Sequence, residues 1–396
     1  MGFRWFTTFM LVFCFSILVF NFFVLANSNL PSLQQSKPLC HDQEKIALLK
    51  FKQSFLLDCS ASPSTTVESW QNESDYNVSN NATESRDCCR WDGVKCDKET
   101  GHVIGLDLSS SCLYGTFPHN STLFSLNHLR VLNLSYNNFK YSQIPSDIGR
   151  LYKLTHLDLS FSAFSGQIPS EISTLSNLSV LDLSGSGDPS GVNQNFNLKL
   201  SDLSLEKLVY ELSYLTVLSL SQVDLSSTVP LLLSNRTSLK AISLNDCNLF
   251  GDFPPSIFQL PNLQFVSVYM NLDLRGYLPE FHSSSRLNYL SVAETKFSGE
   301  LPASLGNLGS LTTILDLEEC KFSGQIPSSI GNLTNFTNMN LESNNFSGPL
   351  PNSIMNQTRL YSLGLSNMMN IDSEVLKSWL PKINSLGSLG LGLVKI

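Results

Sequence analysis

From Leu126 onward the chain repeats one apolar frame roughly every 24 residues, and this period constrains the fold more than any other feature. Leu126, Leu129, Leu132 and Leu134 return as Leu151, Leu154, Leu157 and Leu159, then as Leu175, Leu178, Leu181 and Leu183. Further copies are Leu212/Leu215/Leu218/Leu220, Leu260/Leu263/Val266/Val268, Leu333/Phe336/Met339/Leu341 and Leu360/Leu363/Leu365. A second signature trails the first: Phe164-Ser165-Gly166-Gln167-Ile168-Pro169, Phe297-Ser298-Gly299-Glu300-Leu301-Pro302, Phe322-Ser323-Gly324-Gln325-Ile326-Pro327 and Phe346-Ser347-Gly348-Pro349-Leu350-Pro351. One such unit cannot bury its apolar side alone. Stacking about a dozen buries a continuous core and leaves one long surface free to vary.

The frame is a leucine-rich repeat, and it predicts an α/β solenoid: a right-handed superhelix with parallel strands on the concave face. Its leucines point inward, where each contributes roughly 1.5–3 kcal/mol by burial, and the places between them alternate outward. The recurring glycine allows a turn closed to residues with a Cβ, and the proline fixes φ and removes a donor, so together they bend the convex side. At the place of a buried asparagine ladder stand Asn137, Asn271 and Asn344, but also Ser162, Thr295, Cys247 and Cys320. Small polar side chains there bond turn backbone. Cys247 and Cys320 read as buried structural thiols and not a metal pair, and no cofactor is expected.

Residues 1–26 read as a signal peptide: Arg4 flanks an apolar run over residues 5–25 that ends in Val24-Leu25-Ala26. The run is long for a signal core, so an uncleaved anchor is the alternative; either way the repeats are lumenal or extracellular. Eleven Asn-x-Ser/Thr acceptors agree with that compartment: Asn72, Asn77, Asn81, Asn120, Asn133, Asn177, Asn235, Asn332, Asn335, Asn345 and Asn356. So do Cys40, Cys59, Cys88, Cys89, Cys96 and Cys112, clustered as in a disulfide-stapled cap, although six cysteines allow fifteen connectivities. A formal charge of −8 and a pI near 5.3 argue against nucleic acid or an anionic lipid surface. No second apolar run of about 18 residues announces a separate membrane span.

The amino-terminal cap is placed at residues 27–99. Within it residues 41–55 predict a helix, with Ile46, Leu48, Leu49, Phe51 and Phe55 on its apolar side and Asp42 near its start. Residues 58–86 read as a surface loop. Repeats fill residues 100–396, interrupted by an irregular insertion near 184–211 that is read as a surface excursion. No terminal cap is legible after them, so without further repeats the turns beyond about Leu360 are expected to exchange amides quickly.

The run Ala47-Leu48-Leu49-Lys50-Phe51-Lys52, then Glu68-Ser69-Trp70, Cys88-Cys89-Arg90-Trp91-Asp92-Gly93-Val94-Lys95-Cys96 and Gly101-His102-Val103 resembles the amino-terminal cap of plant extracellular leucine-rich-repeat proteins. With Ser111-Cys112-Leu113-Tyr114-Gly115-Thr116-Phe117-Pro118 and the segment ending Val223-Asp224-Leu225-Ser226-Ser227, the chain is most similar to receptor-like proteins of the Cf and Verticillium-resistance types. The resemblance implies bridges Cys40–Cys88 and Cys89–Cys96; a third between Cys59 and Cys112 stays open. It implies a ligand-recognition role in plant defence or cell-surface signalling, exerted through partner receptor-like kinases, because such proteins have no kinase of their own. Resembling receptors continue through more repeats, a cysteine cap and a membrane helix, so the chain looks like the amino-terminal part of one. Alone, it would be secreted or apoplastic; within a longer receptor, it would face outward at the plasma membrane.

Outward strand places hold Asp107, Asp158, Asp182, Asp246, Glu294, Asp316, Glu318, Glu319 and Glu342, interleaved with His156, Phe161, Phe265, Tyr269 and Tyr289. These predict an acidic concave face with exposed aromatics, suited to a peptide, protein or glycan ligand and best to one carrying basic groups. Asn133, if glycosylated, would put a sugar there. Motifs for a hydrolase elbow, zinc protease, phosphate loop or kinase are missing, so no catalytic residue is nominated. Two other readings are a secreted inhibitor resembling polygalacturonase-inhibiting proteins, which close with a carboxy-terminal cysteine cap, and a truncated decoy or non-functional fragment.

Overall fold

The computed structural model describes residues 39–58, 67, 70, 87–185, 198–201, 204–309, 313–335, 337–367, 373–382 and 385–391. All belong to one compact unit, Leu39–Ile396. The signal segment, Cys59, most of the 58–86 loop and residues 186–197 of the insertion lie outside the described residues. No described helix is long and apolar enough to cross a membrane.

One thirteen-stranded sheet runs the length of the unit. It opens with the cap strand Val94–Cys96, antiparallel to Val103–Asp107. The other strands run parallel: Val131–Asn133, His156–Asp158, Val180–Asp182, Val217–Ser219, Ala241–Ser243, Phe265–Ser267, Tyr289–Ser291, Ile314–Asp316, Asn338–Asn340, Ser362–Gly364 and Ser388–Gly390. Their middle residues form a single inward row from Leu106 through Leu132, Leu157, Leu181, Leu218, Ile242, Val266, Leu290, Leu315 and Met339 to Leu363, all buried. Leu389 continues this row but is 39% exposed, because no described strand lies beyond it. The described part of the insertion adds no strand to this long sheet, where Val217–Ser219 pairs directly with Val180–Asp182; its Leu198–Lys199 instead pairs in parallel with Gly166–Gln167, and Leu205–Glu211 is a short helix.

After each strand the chain makes a left-handed step. Ser110, Tyr136, Phe161, Gln222, Asp246, Met270, Glu294, Glu319, Ser343 and Asn367 have φ between 48 and 65°. In most of these turns the next residue turns inward, and its polar side chain bonds turn backbone. Asn271 donates from Nδ2 to the carbonyls of Leu244 and Val268, both at 2.8 Å, while its Oδ1 accepts from the N–H of Cys247 and Leu249 at 3.1 and 3.0 Å. Asn137 and Asn344 bond in the same manner. Where asparagine is replaced, Ser162 Oγ, Cys247 Sγ and Cys320 Sγ each donate to a carbonyl of the preceding turn. Burial pushes both thiols up, that of Cys320 to about 12, so neither is a ready nucleophile.

The Phe-Ser-Gly segments do more than bend. Phe250–Asp252, Asp273–Gly276, Lys296–Glu300, Lys321–Gly324 and Asn345–Phe346 form a second, five-stranded sheet, parallel throughout and not foreseen from the sequence. Its Phe297, Phe322 and Phe346 are buried, whereas Phe250 is exposed; Phe297 lies 5.8 Å from Phe253, just past the first strand, and Phe322 lies 6.4 Å from Phe346. Each repeat proline then starts a short 3-10 helix. Pro145, Pro169, Pro302, Pro327 and Pro351 hold φ between −65 and −67°, and each carbonyl accepts the N–H three residues on. Proline supplies the dihedral while only its carbonyl is needed.

The cap helix, α1 (Asp42–Gln53), buries Ala47, Leu48, Leu49 and Phe51. Ile46, expected on that side, is 51% exposed, because Ala47 takes the inward place beside Leu48. Disulfides join Cys40 to Cys88 and Cys89 to Cys96. Cys112 is also bridged; Cys59, the partner considered for it, lies outside the described residues. Leu56–Leu57 pairs antiparallel with Leu113–Tyr114, and stacked Trp70 and Trp91 complete the cap core.

Candidate functional site

Parallel registration divides the outward side of the long sheet into rows. The row at the strand ends runs Asp107, Asn133, Asp158, Asp182, Ser219, Ser243, Ser267, Ser291, Asp316, Asn340 and Gly364. Adjacent members stand about 4.8 Å apart and cover one another. Asp182 and Asn133 are therefore buried, and Asp158 is half-buried. Each folds back on the serine two residues later: Asp158 Oδ1 accepts from Ser160 N–H and Oγ, and Asn133 Oδ1 does the same from Ser135. Burial raises the pKa of both Asp158 and Asp182, and for Asp158 the Asp182 charge adds to it. The expectation of solvated acids at these two places is corrected: they are structural members of the row.

Two of the expected aromatics need the same correction. Phe265 and Tyr289 are 3% and 1% exposed, stacked at 4.1 Å on adjacent strands. Their outward register is as expected, but flanking side chains bury both rings, so they form a floor and not a contact patch. His156 is half-buried, and burial lowers its pKa. Phe161, on the left-handed lip, stacks on Tyr136 at 5.0 Å and lies across Gly185. A Cβ on Gly185 would meet the Phe161 ring at 2.2 Å, so only glycine fits beneath it.

The remaining residues converge on neighbouring turns. Tyr269 donates its hydroxyl to Glu294 Oε1 at 3.0 Å. Glu318 Oε2 accepts from Asn340 Nδ2 at 2.8 Å, Glu342 Oε1 from Ser366 Oγ at 3.0 Å, and Asp316 Oδ2 from Ser291 Oγ at 3.2 Å. Glu294, Asp316, Glu318 and Glu342 are half-buried, while Glu319 and Asp246 are exposed at the lip. Burial, reinforced by the other carboxyls, pushes Asp316 up to about 6 and Glu318 to about 7. No lysine or arginine occupies an outward place on the strands from Ala241–Ser243 to Ser362–Gly364. The result is an acidic strip over an aromatic floor. Asp246, expected on this face, stands at the lip, and Met270 joins it there; only the left-handed step, invisible in the apolar period, brings Met270 to this side.

The described acceptor asparagines other than Asn133 are exposed. They sit on the convex turns (Asn120, Asn235, Asn332, Asn356), on the loops into the strands (Asn177, Asn335) or on the second sheet (Asn345), all away from the strip. Asn133 is the exception on the strand face, and its side chain is buried and engaged. Asn72, Asn77 and Asn81 lie outside the described residues.

Residues 41–97 match the family described as leucine rich repeat N-terminal domain, and residues 128–151, 153–175 and 312–333 match the leucine rich repeat. Receptor-like protein 6 of Arabidopsis thaliana is 38% identical over 295 residues, covering 69% of this chain and 27% of that protein. Receptor-like protein Cf-9 of Solanum pimpinellifolium is 36% identical over 285 residues, covering 71% and 32%. The chain thus spans about a third or less of these relatives. Among solved structures, the Arabidopsis receptor kinase HAESA, crystallised with the peptide hormone IDA and the co-receptor SERK1, superposes with a TM-score of 0.66 at 27% identity, covering 89% of this chain and 53% of that one. Cap, repeat and relatives agree: the chain is a leucine-rich-repeat ectodomain related to the plant receptor-like proteins, the Cf type among them.

Proposed function

We propose that the chain is the amino-terminal part of an extracellular recognition domain whose concave face takes a peptide or protein carrying basic groups. The observation that carries this reading is the strip of Tyr269, Glu294, Asp316, Glu318 and Glu342, which no outward cation neutralises. Desolvated carboxyls that repel one another gain from an ammonium or guanidinium partner, and charge of one sign speeds encounter with the other. The disulfides of the cap suit an oxidising compartment. Likeness to HAESA, solved with a peptide hormone and a co-receptor, supports a peptide ligand and a receptor-kinase partner here. The strip holds no nucleophile paired with a base, and the reading is of binding without catalysis.

Titration of the chain with a lysine- and arginine-rich synthetic peptide tests this. Binding is expected to weaken about tenfold or more in a Glu318→Gln/Glu342→Gln double variant, and to weaken with salt. Equal affinity for a neutral peptide of the same length, or no change in the double variant, would sink the proposal.

A further inference from the structure

The residue just before the second leucine of the repeat frame, as before Leu129, Leu154 and Leu178, lies in the loop that enters the strand. In later turns it is often an amide that caps the preceding turn: Asn177 and Asn262 each donate from Nδ2 to a carbonyl one turn back, both at 3.0 Å. In the first three turns the same place holds His102, His128 and Lys153, and the cap adds His41 at the start of α1. The three imidazoles form a column. His41 and His102 are 3.9 Å apart between ring centres and 10° from parallel; His102 and His128 are 3.8 Å apart and parallel. Among the described residues one carboxylate contacts it: buried Glu44 of α1 accepts from Val103 N–H at 2.9 Å and faces His102 Nδ1 at 3.1 Å. At the far end His128 Nδ1 is 3.3 Å from Lys153 Nζ. An ammonium only donates, so His128 accepts there and is neutral in this arrangement.

We propose that this column is a proton-sensitive latch, fastening the cap helix to the first two turns while the His128 imidazole is neutral and loosening as it charges. Glu44 can balance one charged ring. Charging His128 would set a second cation 3.3 Å from the Lys153 ammonium, with no carboxylate in contact with its ring among the described residues. The charged groups that act on His128 are His102 from the first turn, Lys153 from the third, and Glu44 and His41 from the cap; only Glu44 favours its charged form. Burial, then His102 and Lys153, lower the His128 pKa from 6.5. An opened state binds more protons once pH falls below 6.5, so the latch contributes fully above that value and is lost as pH falls toward the folded-state pKa. The bridges Cys40–Cys88 and Cys89–Cys96 hold the cap covalently, which makes the loosening a local opening and not a dissociation.

Hydrogen exchange of the full chain at pH 7 and pH 5, corrected for intrinsic rates, reads the latch directly. Protection over Asp42–Gln53 and Val103–Asp107 is expected to fall about tenfold on acidification. His128→Gln should flatten that dependence, and Lys153→Gln should shrink it while raising the His128 midpoint followed by imidazole proton NMR. Protection that is equal at both pH values, or a loss of the same size in His128→Gln, would overturn the latch; so would a His128 midpoint unmoved by Lys153→Gln.

Discussion

Asp316 stands between Ser291 and Asn340 in the strand-end row, and its neighbours displace the water a surface carboxylate would keep. Its pKa of about 6 exceeds the ordinary 3.8, so the native state binds a proton that the unfolded state has released between those values. Stability from this group therefore declines as pH rises from about 4 through about 6, and the cost is complete at pH 7. Asp316→Asn is expected to raise stability at pH 7 by about 1–3 kcal/mol and to be neutral near pH 4, as read by denaturant unfolding at both. At this scale the sequence was half legible. Alternation showed that Asp158, Asp182, Phe265 and Tyr289 face outward, but outward in a tightly registered parallel sheet is not exposed. Exposure is set by the residues one turn away, which a single repeat does not contain. Glu318 and Glu342 lie farther toward the lip and stay partly open.

The ladder and the second sheet show how elements are joined. Asn271 satisfies two carbonyls and two N–H groups in adjacent turns, and each would be orphaned by truncation. Asn271→Ala is expected to cost about 2–4 kcal/mol in denaturant unfolding, more than the same change at half-buried Asn262, which makes one side-chain bond to backbone. An equal cost at both would mean that the ladder is not a joint. Ladder places were legible because they recur at fixed distance from the leucines, and the cysteine and serine replacements proved to use the same carbonyls. The second sheet was not legible. Phe-Ser-Gly-x-Ile-Pro reads as a bend within one turn, and becomes a strand only when the next turn supplies a partner in register. The helix of the cap was legible in extent but not in rotation: Ala47, too small to announce itself as core, displaced Ile46 from the interior.

At the scale of the molecule, stacking gives one continuous apolar interior and two unlike surfaces. The convex turns, entry loops and second sheet carry the exposed glycan acceptors, while the strand face from Tyr269 to Glu342 carries none that is exposed. That division was legible as architecture, since the period alone separates core from variable surface. It was not legible as a site, because only the register of neighbouring turns gathers Glu294, Asp316, Glu318 and Glu342 into one strip. The central claim is that this strip receives a basic ligand. Hydrogen exchange of the chain with and without a saturating lysine- and arginine-rich peptide tests it most directly. The account predicts slowed exchange in the turns from Phe265–Ser267 through Asn338–Asn340, with the second sheet unchanged; slowing confined to the second sheet and convex turns, or none anywhere, would contradict it.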